Sequence, residues 1–530
     1  MKRDLLAAIF CLVALADTAA PRQRALSDTA KQFAFENPSF GSIVVASVGR
    51  QNITAQEFLQ NYEFGPAFPK RETNSKRRYL DFMIYEKLLA FDGFSGGLDK
   101  GDDAKISFRE IEGDLATEEL YKDDILRKAT ISQQEVERGI ERSKITLMVQ
   151  WIYTPAEGEI TKDAATLRKG VPFDSLYRLR RNALPPEDVR EMEISRFALS
   201  VKNPELSRVV DTLRVGRPSA PVQGPDGWYI LCVRSASAAP MLTETAAGKL
   251  REEVRRSIVQ HRCDSLSDLY VKHLMESARP TIIRRTLDVL HVMMAKQIVP
   301  ADTFSRWGLE RRLRERWGIN DFSAFNRSEH LVESQGGAYT LANFQEWYRA
   351  REMNLHLALG SAESLYASAE RLVWRMVRDR LLTALALKRK LQDREIVRRQ
   401  FAWWKDKIVY NIAKARIAGS VSTDSSLVRA YYEANTQRFR DATGVVIPYE
   451  RVREDVLKEY YNYEITKRTV HEVLKLKERY PVTVNEKALE ALPVETENNP
   501  KALDMYFGKT GGIFPRPAFP TIDYAWSAWN

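Results

Sequence analysis

The sequence predicts a mainly α protein built from two related helical modules, the first carrying an inserted α+β domain, and three observations predict it. Apolar residues recur at helical spacing at Leu80, Met83, Ile84, Leu88 and Leu89, and the same face returns 293 positions later at Val373, Met376, Val377, Leu381 and Leu382. Further along the correspondence resumes at an offset of only 198, where Glu253-Val254-Arg255 and Ile258 answer Arg451-Val452-Arg453 and Val456. The two offsets differ by 95 residues, the size of one small domain, which the first copy holds and the second lacks. The third observation is a change of character inside that gap. Residues 203–233 read as an apolar helix (Leu206, Val209, Val210, Leu213), a stop at Gly216, a proline-bounded turn over 218–221 and a strand led by Gly227.

A chain of 530 residues exceeds one core, and 44% hydrophobic with 29% charged residues excludes wholesale disorder. The net charge of +10 is a mild excess of base over a large surface. It favours acidic partners or a phospholipid surface and does not by itself specify nucleic acid.

Residues 1–16 read as an export signal: Lys2 and Arg3, an apolar run over 5–16, and small residues at Ala14-Leu15-Ala16. The run is too short to cross a hydrocarbon core of about 30 Å. Ala8-Ile9-Phe10, ahead of Cys11, do not resemble a lipoprotein processing site. Cys232 and Cys263 are expected as two separate buried small residues. The mature protein is expected in the periplasm, with no stable membrane insertion after signal cleavage.

Residues 40–144 form the N-terminal part of the first module. NITAQEFLQNYE, with Thr54 and Glu57 spaced as a capping box, is answered by AYTLANFQEWYR from Ala338. ATISQQEVERGIERS at Ala129 is answered by SVSTDSSLVRAYYEAN at Ser420. Between these, Asp99, Asp103 and Glu110 fall in calcium-loop register, but Gly101 stands where a ligand is needed and Ala104 where the turn needs glycine. A solvated loop is expected there.

Residues 145–236 are the insert, opening with the strand-like ITLMVQWIYT. Together with 203–233 it resembles a parvulin-type prolyl isomerase domain. The family places one histidine in the opening strand and another two residues after the glycine of the last strand; Trp151 and Tyr229 stand there, and 145–237 contains no histidine. The usual Gly-Gly pair before the central strand is also missing. The resemblance implies an apolar proline pocket at Ile194, Phe197 and Leu206, floored by Trp151 and Tyr229. Prolyl isomerisation has a resonance barrier of about 20 kcal/mol and needs no covalent step or cofactor. An aromatic pocket can hold a proline or aromatic side chain. Trp151 and Tyr229 therefore either bind peptide or fill the hole of a dead site, and the catalytic residues are unassigned.

Residues 241–292 are the return helix and strand of the first module, with PTIIRRTLDVL answered by PVTVNEKALEAL from Pro481. Residues 325–495 are the second module, closed by a connector over 440–448 where the insert is absent. Its basic runs, such as Lys388-Arg389-Lys390, are the wet side of helices whose other side carries Val373 and Met376. VSTDSSLVRAYYEANTQRF from Val421 and the return helix from Tyr449 complete an arrangement over 40–495 that resembles the SurA and PrsA type of foldase. In that type, N-terminal helices and a C-terminal helix pack into one chaperone core from which parvulin domains emerge.

Residues 496–530 form a tail rich in proline, glycine and aromatics, and Trp526 and Trp529 favour docking on the core. Gly508-Lys509-Thr510 ends like a phosphate loop, but Leu503 stands where its first glycine is required, so no nucleotide is expected. The six histidines show no metal spacing, and no Ser, His and Asp grouping emerges. The expected function is an ATP-independent periplasmic chaperone or foldase for unfolded, nascent or outer-membrane-bound envelope polypeptides, with no cofactor, metal or nucleic acid. The alternatives are an active peptidyl-prolyl isomerase and a non-enzymatic scaffold subunit of an envelope assembly.

Overall fold

The structure is a computed structural model that describes residues 41–71, 73–185, 188–224, 226–238, 243–321, 327–494 and 511–528. The export signal expected at 1–16, Gly508-Lys509-Thr510 and Trp529 lie outside the described residues.

The first copy begins with β1 (Val44–Val48), β2 (Gln51–Thr54), α1 (Ala55–Phe64), α2 (Ser75–Ser95), α3 (Asp102–Asp124) and α4 (Gln133–Ser143). Next come β3 (Ile145–Thr154), α5 (Glu157–Arg168), α6 (Phe173–Asn182), β4 (Glu191–Ser195), α7 (Arg196–Lys202), α8 (Pro204–Val210), β5 (Val222–Gln223) and β6 (Trp228–Ala238). The first copy resumes with α9 (Glu244–Ala278), β7 (Thr281–Ile282) and α10 (Arg284–Ile298), followed by α11 (Ala301–Trp307) and α12 (Leu309–Trp317). The second copy repeats the order as β8 (His330–Ser334), β9 (Gly337–Thr340), α13 (Leu341–Arg349), α14 (Ala362–Lys388), α15 (Glu395–Gly419) and α16 (Ser425–Ala434). A turn bridged between Arg440 and Val446 then leads to α17 (Tyr449–Arg479), β10 (Val482–Val484) and α18 (Glu486–Ala491). The fold is thus mainly α with an inserted α+β element. The chain divides into two compact units, one of residues up to Lys122 together with those from Ser277 onward, the other Asp123–Glu276.

In the first unit the two copies exchange elements. Its sheets have the orders β10-β1-β2 and β7-β8-β9, so each hairpin takes its third strand from the other copy. Ala46 pairs with Val484 and Ile282 with Val332. A hairpin leaves unpaired N–H and C=O groups along both outer edges, and the strand after a return helix pairs one of them, that of β1 or β8. The helices are exchanged too. At Gly93 of α2 an added Cβ would stand 2.7 Å from Val409 Cγ1 of α15, and at Gly113 of α3 it would stand 2.8 Å from Thr383 Cγ2 of α14. Glycine lets these helices approach closely. The repeated apolar face is buried at Leu80, Met83, Ile84, Leu88 and Leu89, where it packs with Tyr410 and Val473 of the second copy.

Two local expectations are corrected. The solvated loop expected over 99–110 is helix from Asp102 onward, because Ala104, Ile111 and Leu115 face the core and Glu110 pairs with the buried Arg351 at 2.8 Å. The capping box at Thr54 is half formed. Thr54 Oγ1 accepts from Glu57 N–H at 3.2 Å, but the Glu57 carboxylate turns to Lys87 at 3.0 Å.

The second unit is built on the all-antiparallel sheet β4-β3-β6-β5. The period of two in its strands separates two apolar layers. Leu147, Val149, Leu231 and Val233 pack with Leu199 of α7 and Leu206 of α8. On the other side, Ile152, Ile230 and Cys232 pack with Ile160 of α5 and Phe173 of α6. Helices α4 and α9 belong to this unit: Arg142 of α4 pairs with Asp211 at 2.8 Å, and Arg262 of α9 with Glu135 at 2.7 Å. Cys232 and Cys263 are free thiols, both buried.

Candidate functional site

Strand β3 sends Trp151 and Tyr153 to the layer covered by α7 and α8, and β6 brings Tyr229 opposite Tyr153. A glycine turn fixes this corner, with Gly224 N–H donating to the Gly227 carbonyl at 2.7 Å. A Cβ at Gly224 would meet the Tyr229 ring at 2.6 Å, and one at Gly227 would meet the Thr154 carbonyl oxygen at 2.7 Å. Only glycine admits so close a backbone approach at both places.

Asp226, inside the turn, organises both tyrosines. The Tyr229 hydroxyl donates to its carboxylate at 2.5 Å, and the Tyr153 hydroxyl to its carbonyl oxygen at 2.8 Å. The two rings lie 5.1 Å apart, tilted by 51°. Burial first, and then the bond to Asp226, push the Tyr229 phenol well above its ordinary range, so the hydroxyl stays protonated and committed to its acceptor. Arg190 lies over the Tyr153 ring at 5.0 Å and is itself clamped by Asp188 at 2.8 and 2.7 Å. A cavity of about 240 Å³ is lined by Trp151, Tyr153, Tyr177, Arg180, Arg181 and Arg190. Arg180 is fixed by a two-point contact to Asp163, at 3.0 and 2.7 Å.

The structure brings Trp151, Ile194, Leu206 and Tyr229 into one apolar cluster. Phe197 stands elsewhere: its ring edge is 3.1 Å from the position a Cβ on Gly139 of α4 would take, and Val254 of α9 adjoins the same spot. Sequence reasoning missed Tyr153, Asp226 and Arg190. Tyr153 was within reach, since it lies two residues beyond Trp151 on the same face of one strand.

Chemically, this corner offers aromatic faces, guanidinium groups and a tyrosine hydroxyl already bonded to a carboxylate. It can pack against an apolar or prolyl segment and pair with an acidic one. Among the described residues no group of three His, Cys, Asp or Glu side chains is placed to hold a metal ion, and no helix is long and apolar enough to cross a membrane.

No family model and no curated protein matches the chain. Among solved structures it is similar to the peptidylprolyl isomerase PrsA of Bacillus anthracis, at 16% identity over 36% of this chain and 96% of that one, with a TM-score of 0.21. PrsA of Bacillus cereus gives 17% identity over 52% and 99%, with a TM-score of 0.23. A SurA-like chaperone of Campylobacter jejuni gives 16% over 44% and 98%, with a TM-score of 0.21.

Proposed function

We propose that the protein is an ATP-independent periplasmic chaperone of the SurA type, holding unfolded or outer-membrane-bound polypeptides, with a parvulin-like domain that binds peptide and has very weak prolyl isomerase turnover. The observation that carries this reading is the pairing of Tyr229 with Asp226 beside Trp151. The positions the parvulin resemblance assigns to two imidazoles hold an indole and a phenol, and the phenol's donor is already used. Such a face binds apolar and prolyl side chains but lacks a free polar pair to stabilise a twisted amide. Leu179, Val189 and Met192 are exposed on the elements around the cavity, and apolar exposure of that kind suits capture of unfolded chain.

The test is light scattering of an unfolded outer-membrane-type client with the full chain at stoichiometric ratio and without ATP. Suppressed aggregation is expected. The net charge of +10 predicts that salt slows capture more than it weakens the final complex. No suppression at any ionic strength would leave a scaffold role as the better account. In a proline-limited refolding assay, acceleration comparable with an ordinary parvulin and abolished by Tyr229→Ala would overturn the assignment of weak turnover.

A further inference from the structure

The C-terminal segment, residues 511–528, lies along the first unit with only one short 3-10 turn of its own, Tyr524–Ala528. Its two ends are held differently. At the start, Arg516 is buried between Asp114, at 2.7 Å, and Glu118 of α3. Asp114 also takes the N–H groups of Ile513 and Phe514 at 2.5 and 2.7 Å. This end is an anchor.

From Phe519 onward the contacts are of another kind. Asn61 of α1 donates to the Pro520 carbonyl at 3.2 Å and accepts from Ile522 N–H at 3.0 Å, a two-point grip on main chain that any extended polypeptide could supply. Glu86 of α2 accepts from Asp523 N–H at 2.5 Å and from the Trp526 indole at 3.1 Å. Three subsites read side chains. Phe64 stacks on Phe519 at 5.0 Å, Tyr410 and Lys414 of α15 take the Asp523 carboxylate, and Phe82 stacks on Trp526 at 5.8 Å. Main-chain contacts thus alternate with side-chain contacts of aromatic and ionic chemistry.

We infer that the groove formed by α1, α2 and α15 is a binding site for extended polypeptide, filled in cis by the chain's own residues 519–526. The ligand class is read from the occupant: a segment without helix or strand from Phe519 to Asp523 that enters a 3-10 turn at Tyr524, with an aromatic residue, an acidic residue four positions later and a second aromatic three positions beyond that. This goes beyond the proposed function, which it takes as its premise, by placing a second capture site on the helical core. The Arg516 anchor keeps the tethered segment at high effective concentration, so a single external segment competes poorly. A client presenting several such segments displaces it.

The probe is a labelled dodecapeptide with the sequence of residues 517–528, titrated by fluorescence anisotropy against the full chain. Weakening the tethered competitor with Phe519→Ala and Asp523→Asn together is expected to tighten apparent peptide binding at least about tenfold, since the competent fraction of the groove rises. Adding Asn61→Ala is expected to cancel the gain. A peptide with Asp523 and Tyr524 exchanged is expected to bind more weakly. Hydrogen exchange on the unaltered protein supplies a readout that needs no variant to fold. Saturating peptide is expected to deprotect the amides of Ile522 and Asp523 and to leave those of Ile513 and Phe514 protected. A natively folded double variant that does not bind the peptide, or binding to the unaltered protein with Ile522 and Asp523 still protected, would overturn the inference. Peptide binding without any suppression of client aggregation would remove the chaperone reading and leave the groove. Aggregation suppressed with Ile522 and Asp523 still protected under saturating peptide would do the reverse.

Discussion

Replacing Arg516 by methionine removes one partner from a buried charge group whose other members stay. The Arg516 side chain is 2% exposed, that of Asp114 0% and that of Glu118 11%. Breaking a buried ion pair from one side costs about 3 to 5 kcal/mol, because a desolvated carboxylate is left behind. Asp114 keeps the N–H groups of Ile513 and Phe514, which places the loss at the lower end, about 3 kcal/mol. Methionine retains the apolar stem, so little of the loss is packing. At about 1.4 kcal/mol per factor of ten, the open population of the anchor rises about a hundredfold. The assay is native-state hydrogen exchange at neutral pH, read at the amides of Ile513 and Phe514, with β3 as internal reference. Exchange about a hundred times faster at the anchor, with β3 unchanged, is the expected result. Arg516→Lys is expected to fall between, since an ammonium keeps the charge without the planar fork that reaches both carboxylates. Less than threefold acceleration in Arg516→Met, or equal acceleration in β3, would refute the assignment of this arginine as the anchor.

Gly93→Ala is expected to destabilise the protein by about 1 to 2 kcal/mol, the overlap with Val409 outweighing the gain in helix propensity; in a urea double-mutant cycle with Val409→Ala the two changes are expected to couple, and strict additivity would refute the close crossing. Residues 41–321 and 327–528 expressed separately are each expected to lack stable tertiary structure and to assemble one to one on mixing, because each hairpin takes its third strand from the other half; two independently cooperative halves that ignore each other would contradict the exchange. Burial raises the Asp523 carboxyl, but Lys414 and then Lys407 bring it down to about 2, below its ordinary value of 3.8. A depressed carboxyl stabilises the fold above its unfolded pKa and loses that contribution as pH falls through the folded value. The stability difference between the unaltered protein and Asp523→Asn should therefore hold constant down to about pH 4 and shrink toward pH 2; a gap indifferent to pH would refute the pairing.

The helical faces were legible because Leu80, Met83, Ile84, Leu88 and Leu89 carry the 3.6-residue period plainly, and the shift in repeat offset pointed to an inserted element; the compact unit that contains it, Asp123–Glu276, also takes in α4 and most of α9. The exchange was not legible. β7 and β10 follow equivalent return helices and are both short and apolar, so either could close either hairpin as far as sequence can tell; the choice is made by three-dimensional connectivity. The acidic run at 99–110 misled for a related reason. Glu110 is balanced by Arg351, a residue of the other copy whose proximity only the exchange creates. On the insert, Trp151 and Tyr229 were singled out by the parvulin resemblance, and both lie in strands of one sheet; the direction of Phe197 on the short α7 was not legible, because it depends on the room left by Gly139 of a neighbouring helix. Trp526 signalled docking of the tail, but nothing local announced Arg516 as the partner of Asp114.

The exchange and the docked tail are connected. Because α15 of the second copy lies on α2 of the first, a groove walled by α1 and α2 on one side and α15 on the other exists only in the exchanged arrangement. The tail makes use of both sides: Asn61 and Glu86 come from the first copy, Lys414 and Tyr410 from the second. Its anchor is likewise split, with Asp114 and Glu118 on α3 of the first copy and Trp404 of α15 under the Arg516 guanidinium at 5.4 Å. A ligand that replaces residues 519–526 must therefore satisfy both copies at once or leave Glu86 and Lys414 facing an unfilled groove. A segment free of helix and strand, as residues 519–523 are, can offer its N–H and C=O groups to the first copy and a carboxylate to the second. The groove's selectivity for unfolded polypeptide would then come from the exchange itself rather than from any single pocket, and changes at the α2–α15 crossing, such as Gly93→Ala, should weaken peptide capture although the side chains nearest a Cβ there are Val409 and Leu98.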